Sequence, residues 1–249
     1  VHPHKDRYWL QSTEDDPHVL QEGITEVCTV YEEAPRLAPK GTHPVSMDEM
    51  TGIQALERTV VTPMRPGDVE RVEFEYTRHG TQCLLANFGV VTGHVIAPTV
   101  SDTRTEVDFV THLKQTVALA PQDSWIFVVD HLNTHTSESL VRWGAEACGI
   151  TEELGVKGRR GILTSMETRT EFLRDPTHRI RFVYTPKHRS WLNQIEILFS
   201  MFVRRLLRRG NFRSTQYLKE RILGFLQYFN ATLAKPFRWS YKGKTHTES

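Results

Sequence analysis

The chain has 249 residues, of which 39% are hydrophobic and 24% charged, and a formal net charge of +1. That length holds one large domain or two small ones around a sizeable core, and so small a net charge names no partner class by itself. No run approaches the roughly 18 apolar residues of a bilayer span, the opening VHPHKDRYWL is too polar for a signal peptide, and three widely spaced cysteines (Cys28, Cys83, Cys148) make neither a disulfide framework nor a zinc finger. A cytoplasmic protein with free, mostly buried thiols and no membrane partner is the expectation.

Taken in chain order, residues 1–43 read as a linker-like stretch. They carry Pro3, Pro17, Pro35 and Pro39, end in PKGTHP and lack sustained periodicity. The domain proper is expected over residues 44–249. Val45 and Met47 alternate with Ser46 and Asp48, the period of a half-buried strand, with Asp48 at or near its end. Residues 83–91 and 94–100 form two apolar runs around Thr92-Gly93, a hairpin pattern. Phe109, Leu113 and Val117 then recur every four positions, giving an amphipathic helix capped by Thr103 or Thr105. The continuous apolar run Trp125 to Val129 predicts a central strand covered on both faces, and it stops at Asp130.

A helix is predicted over 137–148, a glycine-rich basic break over 155–161 and a strand over 180–184. From Ser190 a further helix is expected, its apolar stripe running through Ile195, Leu198, Phe199, Phe202, Val203, Leu206 and Leu207 to a stop at Gly210. The last helix should span about 215–233 with Ser214 as its cap. Strands followed by helices, with central strands buried on both faces, indicate a layered α/β domain.

Charge is unevenly distributed. Residues 1–35 are acidic, whereas residues 179–213 hold Arg179, Arg181, Lys187, Arg189, Arg204, Arg205, Arg208, Arg209 and Arg213 against Glu196 alone. Asp130 follows a buried strand, Asp48 lies on another, and Glu196 sits early in a helix whose dipole favours a negative charge. Gathered together, three carboxylates repel and raise one another's pKa unless a hard cation neutralises them, and magnesium is suited to that role. From the residues alone each acid also has another reading: Asp130 as a turn or cap, Glu196 as a dipole partner, and Asp48 as a bystander to Glu49, which could be the functional acid, or solvated along with it. His131 and His135 stand four apart without the glutamate of a zinc-protease helix, so zinc is not expected.

Five blocks change the weighting: SMDEMTGIQALER (46–58), EFEYTRHGT (73–81), VVDHLNTH (128–135), TPKHRSWLNQIEILFS (185–200) and NATLAKPFRWSYKGK (230–244). With them the chain resembles the bacterial insertion-sequence branch of the mariner-like DDE transposases over most of its length. The resemblance implies an RNase H-like mixed five-stranded sheet flanked by helices. It implies that Asp48, Asp130 and Glu196 are catalytic and hold two Mg2+ ions, with Mn2+ able to substitute. The implied reaction cuts DNA at element ends and joins the freed 3′-hydroxyl to target DNA, in a complex containing at least a homodimer. Asn133, His135, Asn193, Arg78, His79, Arg204, Arg205, Arg208 and Arg209 are the expected supporting or DNA-contacting residues, and Trp191 either stacks on a base or enters the core. Two departures stand out: the stretch between Asp130 and Glu196 is long, implying an insertion around residues 150–178, and His131 replaces a frequent Asn. Relatives begin with helix-turn-helix modules, for which residues 1–43 leave only a remnant. A nuclease that cuts without joining, or an inactive DNA-binding remnant, would be the alternatives.

Overall fold

The computed structural model describes residues 17–58, 61–62, 71–72, 75–187, 189–237 and 239–241. Residues 73–74, His188, Arg238 and residues 242–244, parts of three of the blocks above, lie outside them. Five long strands form one sheet: β1 (Thr42–Glu57), β4 (Thr77–Gly89), β5 (Val95–Ser101), β6 (Ser124–Val129) and β7 (Ile180–Tyr184). A two-residue pair, β2 (Val61–Thr62) and β3 (Arg71–Val72), stands apart. The sheet order is β5-β4-β1-β6-β7; β1 pairs antiparallel with β4 and parallel with β6. This is the mixed five-stranded, helix-flanked sheet that the resemblance implies.

Alternation along the strands builds two cores. Val45 and Met47 of β1, with Trp125, Phe127 and Val129 of β6 and Phe182 of β7, face one side. There they meet α2 (Glu106–Val117), α3 (Glu138–Cys148) and α4 (Met166–Arg174). Ile126, Val128 and Val183 face the other side, so β6 is covered on both faces as its unbroken apolar run requires. That second side holds α1 (Pro17–Leu37), α5 (Ile195–Phe202) and α6 (Thr215–Thr232). The helix α2 begins with a capping box in which Thr105 and Asp108 bond each other's backbone amides, and Ser214 caps α6.

Residues 17–37 correct the linker expectation. They fold as a 21-residue helix that sends Ile24, Val27, Cys28, Tyr31 and Ala34 into the core. These positions recur at helical spacing, and the flanking prolines and acids obscure that stripe in the sequence. Pro17 occupies the helix start and Pro35 its last turn, where a missing amide costs least or the helix is about to end. Among the described residues no helix is long and apolar enough to cross a membrane.

Asp48 also differs from expectation, because β1 continues past it to Glu57. The parallel pairing of β1 with β6 stops at Ser46 opposite Val128, so Asp48 still lies level with the carboxyl end of β6. Further along, a bulge around Gly52 (φ 65°) adds a residue between Met50 and Ile53. It reverses the alternation, so that Ile53 and Ala55 join the core beneath α5 and α6.

Candidate active site

Asp130 is the first residue after β6, and the turn that follows it is a short 3-10 helix, Asn133–Thr136. That turn carries His135 back under the carboxylate. His135 Nδ1 lies 2.8 Å from Asp130 Oδ1 and 3.0 Å from the Asp130 carbonyl oxygen, while the Leu132 amide donates to Oδ1 at 3.1 Å. The imidazole is fully buried and packs on Phe109. Burial by itself would push the His135 pKa down, but the bond to and charge of Asp130, with Glu49 adding, raise it above its ordinary value. Burial likewise pushes Asp130 up, and His135, the Leu132 amide and His131 outweigh it, so its carboxyl is held below the usual range.

Strand alternation puts Asp48 and Glu49 on opposite faces of β1. Ser46, Asp48 and Met50 share one face of β1. Ser46 bonds Tyr31 of α1, and Met50 packs into the core formed with α5. Asp48 therefore looks toward the helix that carries Glu196. Glu49 points to the opposite face, where its side chain is 2% exposed and meets Arg104 Nη1 at 3.3 Å.

The helix expected from Ser190 is broken. Ser190–Leu192 form a 3-10 turn, Asn193 is extended, and α5 starts at Ile195. Asn193 explains the break. Its Nδ2 donates to the carbonyl of Met47 at 2.9 Å, and its Oδ1 accepts the amide of Ile195 at 3.4 Å. One side chain thereby ties the residue before Asp48 to the turn that presents Glu196.

Two of the three carboxylates respond to the charge of Asp130. Asp48 is pushed up to about 7 by burial and by repulsion from Asp130, with Glu196 adding; the Glu49 amide and His135 only partly offset this. Burial and Asp130 raise Glu196 as well. Among the described residues, however, no group of three or more His, Cys, Asp or Glu side chains stands close enough to hold a metal ion. The carboxylates face one another without closing to ligating distance. As a donor set they still fit a hard divalent cation: all are oxygen donors, two are charged less readily than usual because of burial and of Asp130, and His135 bonds Asp130.

The remaining expected residues divide. Asn133 opens the 3-10 turn and is exposed, while His131 stacks on Tyr184 with ring centroids 5.0 Å apart. Arg78 and His79 begin β4, opposite Leu56 rather than Asp48, roughly 25 Å along the strand from the carboxylates. There His79 bonds Glu57 and Arg78 lies over the ring of Tyr76. Arg204 and Arg205 occupy a π-helical turn, Val203–Leu207, closed by the Arg208 amide bonding the Val203 carbonyl. The extra residue in that turn leaves Val203, expected in the apolar stripe, 40% exposed, and Arg204, Arg205, Arg208 and Arg209 all face solvent. Trp191 is 50% exposed and meets Tyr241 edge-on, so it is not a core residue.

A family model for DDE superfamily endonucleases matches residues 43–219, a span that contains all three carboxylates. The chain belongs to that family. No curated protein matches it. Among solved structures, this DDE endonuclease is similar to the Mos1 transposase paired-end complex with left transposon end, at 11% identity and a TM-score of 0.47, over 93% of this chain and 60% of that one. It is similar to the Mos1 mariner paired-end complex with Mn at 11% identity and 0.45, over 90% and 59%. The catalytic domain of Mos1 mariner transposase gives 13% identity and 0.46, over 90% and 86%. The chain thus spans about three fifths of the longer Mos1 chains. At this level of similarity these structures bear on neither substrate nor mechanism.

Proposed function

We propose that this DDE endonuclease is a transposase of the insertion-sequence kind, cutting DNA at element ends and joining the 3′-hydroxyl to target DNA, with Asp48, Asp130 and Glu196 as its catalytic carboxylates. The observation that carries the reading is the proximity of these three acids: beyond burial, the Asp130 charge raises the pKa of both Asp48 and Glu196. They come from β1, the end of β6 and the start of α5, yet Asp48 is pushed to about 7 by burial and by its like-charged neighbours. Acids whose pKa is raised by burial together with a neighbouring carboxylate are candidates for a functional site.

Asp48, Asp130 and Glu196 would hold Mg2+, with Mn2+ able to substitute, and a pair of such ions supplies activation of an attacking oxygen and stabilisation of a leaving one. The protein's own groups have simpler tasks. His135 and the Leu132 amide orient Asp130, and the Glu49 amide donates to Asp48 Oδ1 at 2.7 Å. Asn193 keeps the Glu196 turn against β1. Arg204, Arg205, Arg208 and Arg209 offer phosphate contacts beyond α5, with DNA as partner, and two element ends joined together call for at least a homodimer acting at the nucleoid.

The test is cleavage and strand transfer of a pre-cut DNA end in Mg2+ or Mn2+. Asp48→Asn, Asp130→Asn and Glu196→Gln should each abolish both steps and leave salt-dependent DNA binding in place. Normal cleavage by any one variant contradicts the assignment, and cutting without joining by the native protein would make it a nuclease of the same family.

A further inference from the structure

The helix α1 lies outside the stretch that defines the family, yet it reaches the centre of the candidate site through one hydroxyl group. Tyr31 is 3% exposed. Its phenolic oxygen is 2.8 Å from Ser46 Oγ, donates to the carbonyl of Leu192 at 2.9 Å, and lies 3.4 Å from the amide of Gln194. Ser46 is two residues before Asp48 on the same face of β1. Leu192 and Gln194 belong to the turn that delivers Glu196. A few residues earlier in α1, Gly23 packs so closely on Pro186 that an added Cβ would stand 3.0 Å from its Cγ. The segment from the end of β7 to the start of α5 therefore rests on α1 at both ends.

We propose that Tyr31 is a positioning residue which fixes the distance between the Asp48 strand and the Glu196 turn, so that the two carboxylates can serve one divalent cation. This rests on the function proposed above. The turn at 190–194 follows the loop after β7 and has no ladder of its own to hold it. Among the described residues, the side chains that bond it to β1 are Asn193 on the Met47 carbonyl and Tyr31 between Ser46 and Leu192. Phenol oxygen is the suitable group because it both donates and accepts, and can satisfy a carbonyl, a hydroxyl and an amide that would otherwise be buried without partners. Removing that oxygen leaves the ring packed but frees the turn, and supporting groups of this kind change metal affinity or turnover by about tenfold to a hundredfold.

The experiment compares the full chain with Tyr31→Phe, Ser46→Ala and Val27→Ala. Val27 is fully buried in α1, and its truncation loosens the same helix without touching the hydroxyl network. Three quantities are read where every variant is folded: Mn2+ binding followed by the electron spin resonance of the free ion, Mn2+-dependent nicking of DNA, and hydrogen exchange of amides 192–196. Tyr31→Phe should weaken Mn2+ binding about tenfold, lower kcat with the KM for DNA unchanged, and speed exchange in that turn. Ser46→Ala should do the same to a smaller degree, and stands in if Tyr31→Phe does not fold. Native Mn2+ affinity and native exchange in Tyr31→Phe, or equal effects from Val27→Ala, would overturn the proposal. If Asp130→Asn nicks DNA normally, the proposed function fails instead; the exchange measurement needs neither metal nor DNA and still decides whether Tyr31 holds the turn.

Discussion

Asp48 and Glu49 are adjacent in sequence and opposite in the sheet, and this one-residue difference gives them different neighbours. Periodicity could not separate them, because a period of two gives the faces but not which face the later helix will cover. The structure puts Glu49 beside Arg104 and Asp48 toward α5. Glu49→Gln should therefore keep metal-dependent cleavage within a few-fold of native, while Asp48→Asn abolishes it; the reverse result would make Glu49 the first acid. His135 makes a second case. The sequence offers it a supporting role or a phosphate contact without choosing, and the 3-10 turn brings its Nδ1 onto Asp130. Replacement by Ala should cut cleavage about tenfold to a hundredfold, with DNA affinity unchanged in a binding titration.

At the level of elements, the long apolar runs and capped helices were legible because local signals and packing agree there: β6, α2 and α6 lie close to where periodicity puts them. The misjudged elements are those whose shape depends on distant partners. Nothing local in residues 190–194 announces a break; the Met47 carbonyl on β1 imposes it by taking the Asn193 side chain. The stripe of α1 was masked by prolines and acids, but its burial against Ile126, Val128 and Val183 makes it part of the core. A chain starting at Gly41 would expose those side chains at roughly 1.5–3 kcal/mol each, a large share of a typical domain's stability of about 5–15 kcal/mol. It should show no cooperative thermal transition, whereas a true linker could be removed without loss.

The helix α2 also carries a pH signature. His112 is fully buried, and burial lowers its pKa to about 4. Asn87 donates to its Nε2 at 2.8 Å, and its Nδ1 stands 2.9 Å from Thr99 Oγ1, an arrangement that suits the neutral ring. The unfolded ring takes up a proton first as pH falls through about 6.5, so the native state loses stability down toward pH 4, on the order of 2 kcal/mol between pH 6.5 and pH 5. Urea midpoints should fall over that range and fall less in His112→Gln; parallel curves for the two proteins would contradict this reading.

Over the whole molecule, the layered α/β class follows from sequence pattern and the mixed five-stranded sheet from the family resemblance, while the distances between the acids depend on packing that spans the chain. The basic surface is a property of this scale too. The π turn puts Arg204 and Arg205 in solvent beside Arg208 and Arg209, beyond the helix of Glu196. If these arginines meet phosphates, replacing Arg208 and Arg209 by Ala should weaken binding to all DNA sequences alike and flatten the dependence of log K on log salt by about 0.9 for each phosphate no longer neutralised. An unchanged slope would mark them as a solvated helix face. The central claim, that acids from three elements make one metal-binding site, is tested most directly by anomalous diffraction from crystals soaked in Mn2+. The predicted result is density bounded by the carboxylates of Asp48, Asp130 and Glu196, with His135 still bonded to Asp130; Mn2+ held by Glu49, or bound away from these three residues, would contradict it.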